Sequence, residues 1–352
     1  MEFASDNTSG TAPEIMAALS AINAGYAPSY GTDPAMDRVR AMIREVFEAP
    51  EAAVYLVNNG TTANSLSLAT YCPPWGAVYC HDTAHVELDE CGAPEFFIGG
   101  GKLVKVPGEH GKMTPGALRT AIGATPQGFV HSVQRAVVTL TNTTEAGTVY
   151  SAAELSALCA VAKEFGLPVH LDGARFANAL VSTNASPAEM SWKAGVDILS
   201  FGGTKNGCMG VEAVVLFDPA KAWEFELRRK RGGHLFSKHR YLSAQMEAYL
   251  TDDLWLRLAR DANNRATELE AAILSAPGAS PLYPREANMV FASLPRGRHR
   301  RAMAAGAHYY LWPHDATLDG PDDQPVSARF VCSWCTTEAE VDAFAALIHG
   351  RD

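Results

Sequence analysis

Short apolar runs and longer amphipathic segments alternate along the first two thirds of the chain. The runs AVVTL (136–140) and VHL (169–171) are typical of buried strands, and residues 151–165 carry apolar positions at helical spacing. This helix begins with the signature of a capping box, Ser151 followed three residues later by Glu154. The order strand, helix, strand predicts a crossover connection, which implies parallel strands.

The pattern changes after about residue 245. Helical periodicity from Tyr241 to about Ile273 is followed by two segments of strand character, PLYPREANMVFASL and ARFVCSW, and by a last capped helix over residues 338–349. We therefore predict an α/β protein with two domains. An N-terminal arm and a large domain occupy residues 1–248, and a smaller α+β domain occupies residues 249–352.

The composition is that of an ordinary globular protein and narrows the choice of partners. Of the 352 residues, 47% are hydrophobic and 19% are charged. The formal net charge of -10 argues against a nucleic-acid binder. No apolar run approaches the roughly 18 residues of a membrane span, and the N-terminus lacks the features of a signal peptide. The seven cysteines are scattered, so we expect a cytoplasmic protein with reduced thiols and without nucleic-acid or membrane partners.

One acid and one amine are predicted at neighbouring strand ends. Asp172 directly follows the strand at 169–171, with Arg175 three residues later, and a second strand, residues 196–201, breaks at two glycines before Lys205. In an open α/β sheet, ligands collect beyond the carboxyl ends of the strands. The sequence therefore predicts that Asp172, Arg175 and Lys205 converge at this edge.

An acid that faces a reactive lysine suits pyridoxal 5'-phosphate (PLP). The amine binds the cofactor aldehyde covalently, and the acid keeps the pyridine nitrogen protonated, so that the ring draws electrons from the substrate. The segment NNGTTAN supports this hypothesis, because Gly60 and Thr61 would offer free backbone N–H groups to a phosphate at a helix N-terminus. His85 is a candidate for the imidazole that lies flat against the ring.

Each of these features also has a simpler interpretation when it is taken alone. Lys205 could be an ordinary surface charge, and NNGTTAN an ordinary capped helix. The segment GGTKNG leads into a strand and lacks the spacing of a phosphate-binding loop. One cluster of candidate metal ligands lacks a paired motif, so no metal site is predicted. Its members are His81, His85, Asp89 and Cys91.

Seven motifs that together span nearly the whole chain carry a family resemblance. In order, they are SDN, YGTDP, NNGTTAN, HVELDECGA, TNTTEAGTV, HLDGARFANA and SFGGTKNGCMG. They resemble those of the low-specificity L-threonine aldolases, or β-hydroxy-α-amino acid aldolases. The resemblance implies the PLP-dependent transferase fold type I (aspartate aminotransferase-like), with a large, mostly parallel sheet and a smaller C-terminal domain. It also implies a homo-oligomer, a dimer of dimers whose active sites are shared between subunits.

The resemblance assigns roles to residues that would contact the cofactor. It implies that Lys205 binds PLP covalently, that Asp172 meets the ring nitrogen and that His85 stacks on the ring. Further cofactor contacts are expected from Gly60, Thr61, Arg175, Thr204 and Lys238. Lys238 would reach the phosphate from the partner subunit.

The substrate side is assigned in the same way. Ser5 and Arg329 resemble a clamp for the substrate carboxylate, with Arg175 close to it and Tyr30 on the glycine- and tyrosine-rich loop 25–33. The implied catalytic residues are Lys205, His85 and His131, of which His131 lies eleven residues before Asn142. The general base is left open between His85, His131 and a held water.

The implied activity is retro-aldol cleavage of L-threonine, L-allo-threonine or a related substrate such as phenylserine. The Cα–Cβ bond breaks to give glycine and an aldehyde. Two alternatives remain open at the level of sequence. One is a PLP-dependent aminotransferase or β-eliminating lyase of the same fold, and the other is a non-catalytic protein that kept the fold.

Overall fold

The computed structural model describes residues 1–350. Its helices are α1 (Pro13–Ile22), α2 (Pro34–Val46), α3 (Gly60–Tyr71), α4 (His85–Leu88), α5 (Ala93–Ile98), α6 (Pro115–Ala124), α7 (Ala152–Glu164), α8 (Phe176–Thr183), α9 (Ala222–Arg231), α10 (Arg240–Leu250), α11 (Leu254–Leu274), α12 (Arg296–Ala304) and α13 (Glu338–His349). Its strands are β1 (Ala53–Val57), β2 (Gly76–His81), β3 (Lys102–Val106), β4 (Gly108–Glu109), β5 (Lys112–Met113), β6 (Gln134–Thr141), β7 (Val169–Gly173), β8 (Ile198–Gly202), β9 (Glu212–Leu216), β10 (Ser280–Pro281), β11 (Met289–Pro295), β12 (Tyr310–Trp312) and β13 (Pro325–Val331).

A seven-stranded sheet forms the centre of the large domain. Its strand order is β1-β9-β8-β7-β6-β2-β3, and β9 alone runs antiparallel to its two neighbours. All residues of β2, β7, β8 and β9 are buried, as expected for a sheet covered by helices on both faces. The α7 crossover between β6 and β7 begins with the predicted capping box of Ser151 and Glu154. The predicted α/β fold with a mostly parallel sheet is confirmed.

A smaller antiparallel sheet, in the order β10-β11-β13-β12, packs against α11, α12 and α13. Its core includes Phe330 and Phe344 and also receives Phe3 from the N-terminal arm, whose ring centroid lies 5.4 Å from that of Phe344. The arm is fixed there by backbone hydrogen bonds of Phe3 with His308 and Val331, each 2.8 Å long. The arm therefore runs along the small sheet at Phe3 and reaches the large domain at Asp6.

The segment between the two sheets differs from its prediction. One helix was predicted over residues 241–273, but two helices, α10 and α11, are separated at Thr251–Asp253. Asp252 and Asp253 both have positive φ angles, a conformation that aspartate tolerates better than most residues. Leu254 and Trp255 at the start of α11 pack in the large core, whereas its later turns pack in the small core. The domain boundary at 248/249 remains a prediction, since α11 contributes to both cores.

None of the helices within residues 1–350 combines the length and the apolar character that crossing a bilayer requires.

Candidate active site

The carboxyl ends of β6, β7 and β8 meet at one edge of the large sheet. Thr141 of β6 lies opposite Asp172 of β7, which in turn lies opposite Ser200 of β8. The chain leaves β8 at Gly202 and forms a 3-10 turn, Thr204–Asn206, that carries Lys205. The structure therefore brings Asp172 and Lys205 to the ends of adjacent parallel strands.

Two N–H donors hold Asp172 from different directions. Its Oδ1 accepts a hydrogen bond from the backbone N–H of Ala174, and its Oδ2 accepts one from Asn64 Nδ2, each at 3.0 Å. Asp172 is only 2% exposed. Because both oxygens are bonded, the carboxylate has a fixed orientation at the strand end.

Glu212 of β9 fastens the loop that carries Lys205. The backbone N–H of Gly203 donates to Glu212 Oε2 at 2.7 Å, and that of Val211 donates to Thr204 Oγ1 at 3.1 Å. Burial raises the pKa of Glu212 to about 7, although hydrogen bonds from Thr204 and Gly203 and the charge of Lys205 act to lower it. Lys205 is partly buried, and its amine has neither a hydrogen-bond nor an ion-pair partner within residues 1–350. The loop is fixed while the amine stays free.

A chain of hydrogen bonds joins His85 to Asp172 through the protein interior. His85 Nδ1 lies 2.8 Å from Glu90 Oε1, and the same oxygen accepts from Asn64 Nδ2 at 2.9 Å. The Asn64 amide also donates to Asp172, as described above. Glu90 and Asn64 are 4% and 2% exposed, whereas 27% of the His85 side chain is accessible. The imidazole is thus held from the inside and open on its outer side.

Charges around this network shift two pKa values. Burial lowers the pKa of His85, but the hydrogen bond to Glu90 and the carboxylates of Glu145 and Asp172 outweigh burial and leave this pKa above its ordinary value. The charge of Lys205 acts in the opposite direction. Burial and the nearby Asp172 raise the pKa of Glu90 despite its bond to His85. Asp172 and Lys205 therefore both lie within electrostatic reach of one imidazole.

An acid from the N-terminal arm binds the arginine that follows β7. Arg175 Nε and Nη2 donate to the two oxygens of Asp6 at 2.6 and 3.0 Å, and both side chains are almost fully buried. Asn288 Nδ2 donates to the same carboxylate at 3.1 Å. Burial raises the pKa of Asp6, but Arg175 and Lys205 outweigh burial and leave it below the ordinary value. Arg175 Nη1 has no hydrogen-bond partner within residues 1–350.

Arg329 of β13 lines a cleft of about 280 Å³ beside this edge. Other side chains that line the cleft include those of His81, His110, Glu145, Tyr283 and Trp312. The Nε of Arg329 is buried and has no hydrogen-bond partner within residues 1–350. Burial and the like charge of Arg175 lower the pKa of Arg329, and nearby carboxylates compensate only in part. A guanidinium in this state is suited to a bidentate contact with a carboxylate ligand.

The N-terminus of α3 presents backbone donors to an open space. Asn59 caps the helix by accepting from the N–H of Thr62 at 2.8 Å. The N–H groups of Gly60 and Thr61 have no acceptor within residues 1–350. A Cβ placed on Gly60 would meet no atom within 4 Å, so the space in front of it is open. His234 lies alongside, 3.3 Å from Thr62 Oγ1. This arrangement suits a phosphate group.

Comparison with known proteins identifies the family. A sequence profile of the beta-eliminating lyase family matches residues 2–295. A low-specificity L-threonine aldolase of Pseudomonas aeruginosa is 44% identical over 335 residues, which cover 95% of this chain and 93% of that protein. This chain belongs to the low-specificity L-threonine aldolase family.

Comparison with solved structures shows that this chain has fold type I. The structure of the Leishmania major threonine aldolase superposes with a TM-score of 0.91 at 28% identity and covers 99% of this chain and 98% of that one. SPT, solved with PLP, matches 100% of this chain and 87% of its own at 16% identity, with a TM-score of 0.69. The second likeness concerns the fold alone, and both confirm the predicted fold class.

One catalytic residue that the resemblance implies, His131, lies apart from the other site residues of its chain. His131 lies in the exposed loop before β6, where its ring contacts Phe129 with centroids 5.0 Å apart. Asp172 lies opposite Thr141 at the other end of β6. Because the whole strand separates them, His131 lies away from the site of its own chain, and its role as a second catalytic histidine stays a prediction.

Three other predicted residues lie at the periphery of the chain. Tyr30 is 46% exposed, lies under the Lys230 ammonium, and is bonded through its backbone N–H to Ser237. Lys238 is exposed in the loop between α9 and α10. Ser5 caps the short turn that contains Asp6 by accepting from the N–H of Asn7, and so stands next to the Arg175 pair. Their roles in binding stay predictions.

Several polar residues of this site were not predicted from the sequence to belong to it. They are Asp6, Asn64, Glu90, Glu212 and His234. All but His234 are at most 5% exposed. Asn64 sits in a helix whose residues are almost all buried, and Glu212 opens a fully buried strand. A polar residue within an otherwise buried run was the available signal, because such a group must find a partner inside the protein.

Proposed function

We propose that the protein is a PLP-dependent aldolase that cleaves β-hydroxy-α-amino acids such as L-threonine, L-allo-threonine or phenylserine to glycine and an aldehyde. The observation that carries this proposal is the pair of Asp172 and Lys205 at adjacent strand ends, with the amine free and the carboxylate fixed. The family membership supports it, since the Pseudomonas aeruginosa relative is a low-specificity L-threonine aldolase.

The chemistry of the residues at this edge fits PLP. The open donors of Gly60 and Thr61 would hold the phosphate, with Thr204 and His234 nearby in the chain's own loops. Asp172 would meet the ring nitrogen and Lys205 would bind the aldehyde. When bound, PLP supplies an electron-withdrawing ring that accepts charge from the substrate's α-carbon.

Two guanidinium groups would bind the substrate carboxylate. Arg329 has a buried Nε without a partner, and Arg175 has one free nitrogen after its bidentate pair with Asp6. Burial, together with repulsion from Arg175, lowers the pKa of Arg329, and the negative charge of a bound carboxylate would oppose both effects. Ser5 would add a hydroxyl from the arm. Holding the carboxylate orients the Cα–Cβ bond, which decides the bond that breaks.

His85 would accept the proton of the substrate's β-hydroxyl as the Cα–Cβ bond breaks. Its outer side is open, and its Nε2 has no hydrogen-bond partner within residues 1–350. A positioned general base contributes about 10²–10⁴-fold to a rate. The aldehyde leaves after this step, and a proton is returned to the α-carbon to give glycine.

We also infer a homo-oligomer, a dimer of dimers, that resides in the cytoplasm. Exposed Lys238, Tyr30 and His131 would serve a site only as contributions to a neighbouring subunit. The seven cysteines are all unpaired, which supports a reducing compartment. Molar mass by light scattering tests the assembly, and a dimer as the largest species would contradict it.

A product assay tests the activity. Protein loaded with PLP and given L-threonine is expected to release equal amounts of acetaldehyde and glycine. The second candidate is β-elimination, because the matching profile is that of the beta-eliminating lyases. That reaction would instead give ammonia and 2-oxobutanoate. The two product pairs separate the candidates in a single reaction mixture.

Substitution of Lys205 tests the site. Lys205→Ala is expected to lose turnover and the visible absorbance of bound cofactor, because it removes the amine that would bind the cofactor aldehyde. Lys193→Ala, which alters a surface lysine paired with Glu48, is the matched control and should behave as the wild type. A Lys205→Ala protein that keeps both properties would refute the assignment.

A further inference from the structure

The interior side of His85 is more elaborate than stacking alone requires. A ring that only stacks on the cofactor needs no polar partner. The His85 ring has one, because its Nδ1 is hydrogen-bonded to Glu90 Oε1 at 2.8 Å. Glu90 is 4% exposed, and burying a carboxyl group costs free energy unless partners stabilise it. The cost suggests that the carboxyl group acts on the imidazole.

The backbone around Glu90 turns the carboxyl group toward His85. The short helix α4 ends at Leu88, and Cys91 and Gly92 then both have positive φ angles, which sends the chain into α5 in a new direction. The left-handed conformation is unfavourable for a residue with a Cβ, such as Cys91. The turn leaves Glu90 pointing inward, five positions after His85.

Asn64 binds the same oxygen of Glu90 that faces His85. Its amide nitrogen donates to Glu90 Oε1 at 2.9 Å and to Asp172 Oδ2 at 3.0 Å. One amide therefore serves two carboxyl groups, the one that faces His85 and the one that would meet the cofactor ring. An amide with two N–H groups can do this without bringing any charge.

The bonding pattern selects one form of the imidazole. Glu90 Oε1 already acts as an acceptor toward Asn64, and the other oxygen, Oε2, is buried without a partner. Oε1 therefore accepts from His85 Nδ1–H as well, and the neutral ring then carries its lone pair on Nε2. An acid that holds a histidine in one tautomer for proton transfer is a general device of enzymes.

We propose that Glu90, held in place by Asn64, is a positioning residue that keeps His85 in the Nδ1–H tautomer and leaves Nε2 free to accept the substrate's hydroxyl proton. The transfer breaks the substrate O–H bond and forms the Nε2–H bond, and Glu90 accepts no proton in it. The inference rests on the proposed aldolase function and adds two residues to it.

The charges that face His85 define what a change at Glu90 would do. They are Glu90 itself, Glu145 in the loop after β6, Asp172 at the end of β7 and Lys205 after β8. Replacing the Glu90 carboxylate removes its hydrogen bond and lowers the pKa of His85, because burial and Lys205 are then opposed only by Glu145 and Asp172. Since the base must be neutral to accept a proton, the acidic limb of the pH profile would move to lower pH while the rate falls.

The first test observes the wild-type holoenzyme and needs no variant. Protein labelled with ¹⁵N-histidine is examined by NMR, with the His85 signals assigned by their loss in His85→Phe. We expect the Nδ1–H tautomer above the pKa of His85. A ring that carries its proton on Nε2 would overturn the proposal, whether or not any Glu90 variant folds.

The second test uses Glu90→Gln, with Glu87→Gln as the matched control. Glu87 lies on α4 together with His85, but it pairs with Lys105 at 3.4 Å. We expect Glu90→Gln to lower kcat about 10- to 100-fold, a part of what a general base contributes, with KM changed less than about threefold. The rate at which diethyl pyrocarbonate modifies His85, followed by peptide mass spectrometry, should titrate at lower pH in Glu90→Gln and as in the wild type in Glu87→Gln.

The third test asks whether Glu90 acts through His85. In a His85→Phe background, Glu90→Gln should change kcat less than about twofold, because the group that it positions is gone. Equal effects in both backgrounds, or an unchanged His85 titration in Glu90→Gln, would overturn the proposal. Asn64→Ala should lower kcat in the same direction by about three- to tenfold, and wild-type kinetics there would remove Asn64 from it.

These outcomes are distinct from a failure of the aldolase function itself. That failure would appear as wild-type holoenzyme that releases no acetaldehyde from L-threonine. A failure of the present inference would appear as an active wild type whose His85 titration is insensitive to Glu90.

Discussion

The two arginines of the site, Arg175 and Arg329, show how one protein uses the same side chain in two ways. Arg175 is bound on two nitrogens by Asp6, and the pair is almost fully buried. Arg329 lines an open cleft, and its Nε is buried without a partner within residues 1–350. Burial lowers the pKa of both, but Asp6 more than compensates at Arg175, whereas Arg329 stays below its ordinary value.

The difference separates scaffold from binding group. An arginine that is paired with an internal carboxylate is held in one orientation, so it positions what surrounds it and gains less from a second carboxylate. An arginine without one has a stronger interaction to gain when a carboxylate arrives. The same division applies to the rest of the site. Each oxygen of Asp172 is held by one hydrogen bond from the protein, whereas the amine of Lys205 is free.

Removing the partner of Arg175 is expected to have the largest effect on stability. Asp6→Asn leaves a buried guanidinium with an uncharged neighbour, and breaking a buried pair costs about 3–5 kcal/mol of the free energy of unfolding. Chemical denaturation at pH 7 measures the loss. The Asp6 pKa is lowered in the folded protein, so its contribution is present above the unfolded value of about 3.8 and is lost as pH falls through the folded pKa.

The control for this prediction is an exposed pair of the same kind. Glu14 and Arg257 form a surface ion pair at 2.6 Å, and Glu14→Gln should cost at most about 1 kcal/mol. If Asp6→Asn and Glu14→Gln were equally mild, the scaffold role of the buried pair would be wrong.

Replacing Asp172 tests the cofactor side of the comparison. Asp172→Asn keeps a side chain of the same shape but removes the charge that would face the ring nitrogen. We expect kcat to fall about 10²- to 10³-fold, the usual effect of removing one preorganised electrostatic group. Steady-state kinetics with L-threonine and the absorbance spectrum of the bound cofactor measure it. Wild-type kcat in this variant would contradict the role of Asp172.

The part of the site that could be predicted from the sequence lies where local pattern is sufficient. Apolar runs separated by amphipathic segments specify parallel strands, and a polar residue directly after such a run must lie at a strand end. Asp172 and Lys205 follow from this rule together with the motif resemblance. The capping box at Ser151 was equally local and is present in the structure.

The contacts that escaped prediction join residues that are far apart in the sequence. Asp6 meets Arg175 across 169 positions and Asn288 across 282, and no local pattern encodes such a pair. The distance of His131 from the site of its own chain was not predictable for a related reason. Its spacing from Asn142 was taken from a motif, but the eight residues of β6 between them span about 26 Å in extended form.

Changing Arg329 tests the binding side of the comparison. Arg329→Lys keeps the charge but removes the planar pair of donors that a carboxylate accepts from arginine. We expect KM for L-threonine to rise about 10- to 100-fold, with the absorbance of bound cofactor unchanged. Arg285→Lys, an arginine bound to Glu270 at 2.8 Å, is the matched control and should leave KM unaltered. A normal KM in Arg329→Lys would contradict the proposal that Arg329 binds the substrate carboxylate.

The smallest expected effect concerns the carboxyl group that fastens the Lys205 loop. Glu212 is buried, and its pKa in the folded protein is about 7 against an ordinary value of 4.5. A raised pKa means that the folded state holds the proton more tightly, so this contribution to stability is full below about pH 4.5 and declines as pH rises through 7.

Glu212→Gln keeps an acceptor for the N–H of Gly203 but cannot ionise. We expect it to remove about 2 kcal/mol of the stability lost between pH 5 and 8, measured by denaturation at both values and compared with Glu51→Gln on the surface. If both variants and the wild type lose the same stability over this range, Glu212 is already charged at pH 5, and its bond to Gly203 is then a permanent ionic anchor for the Lys205 loop.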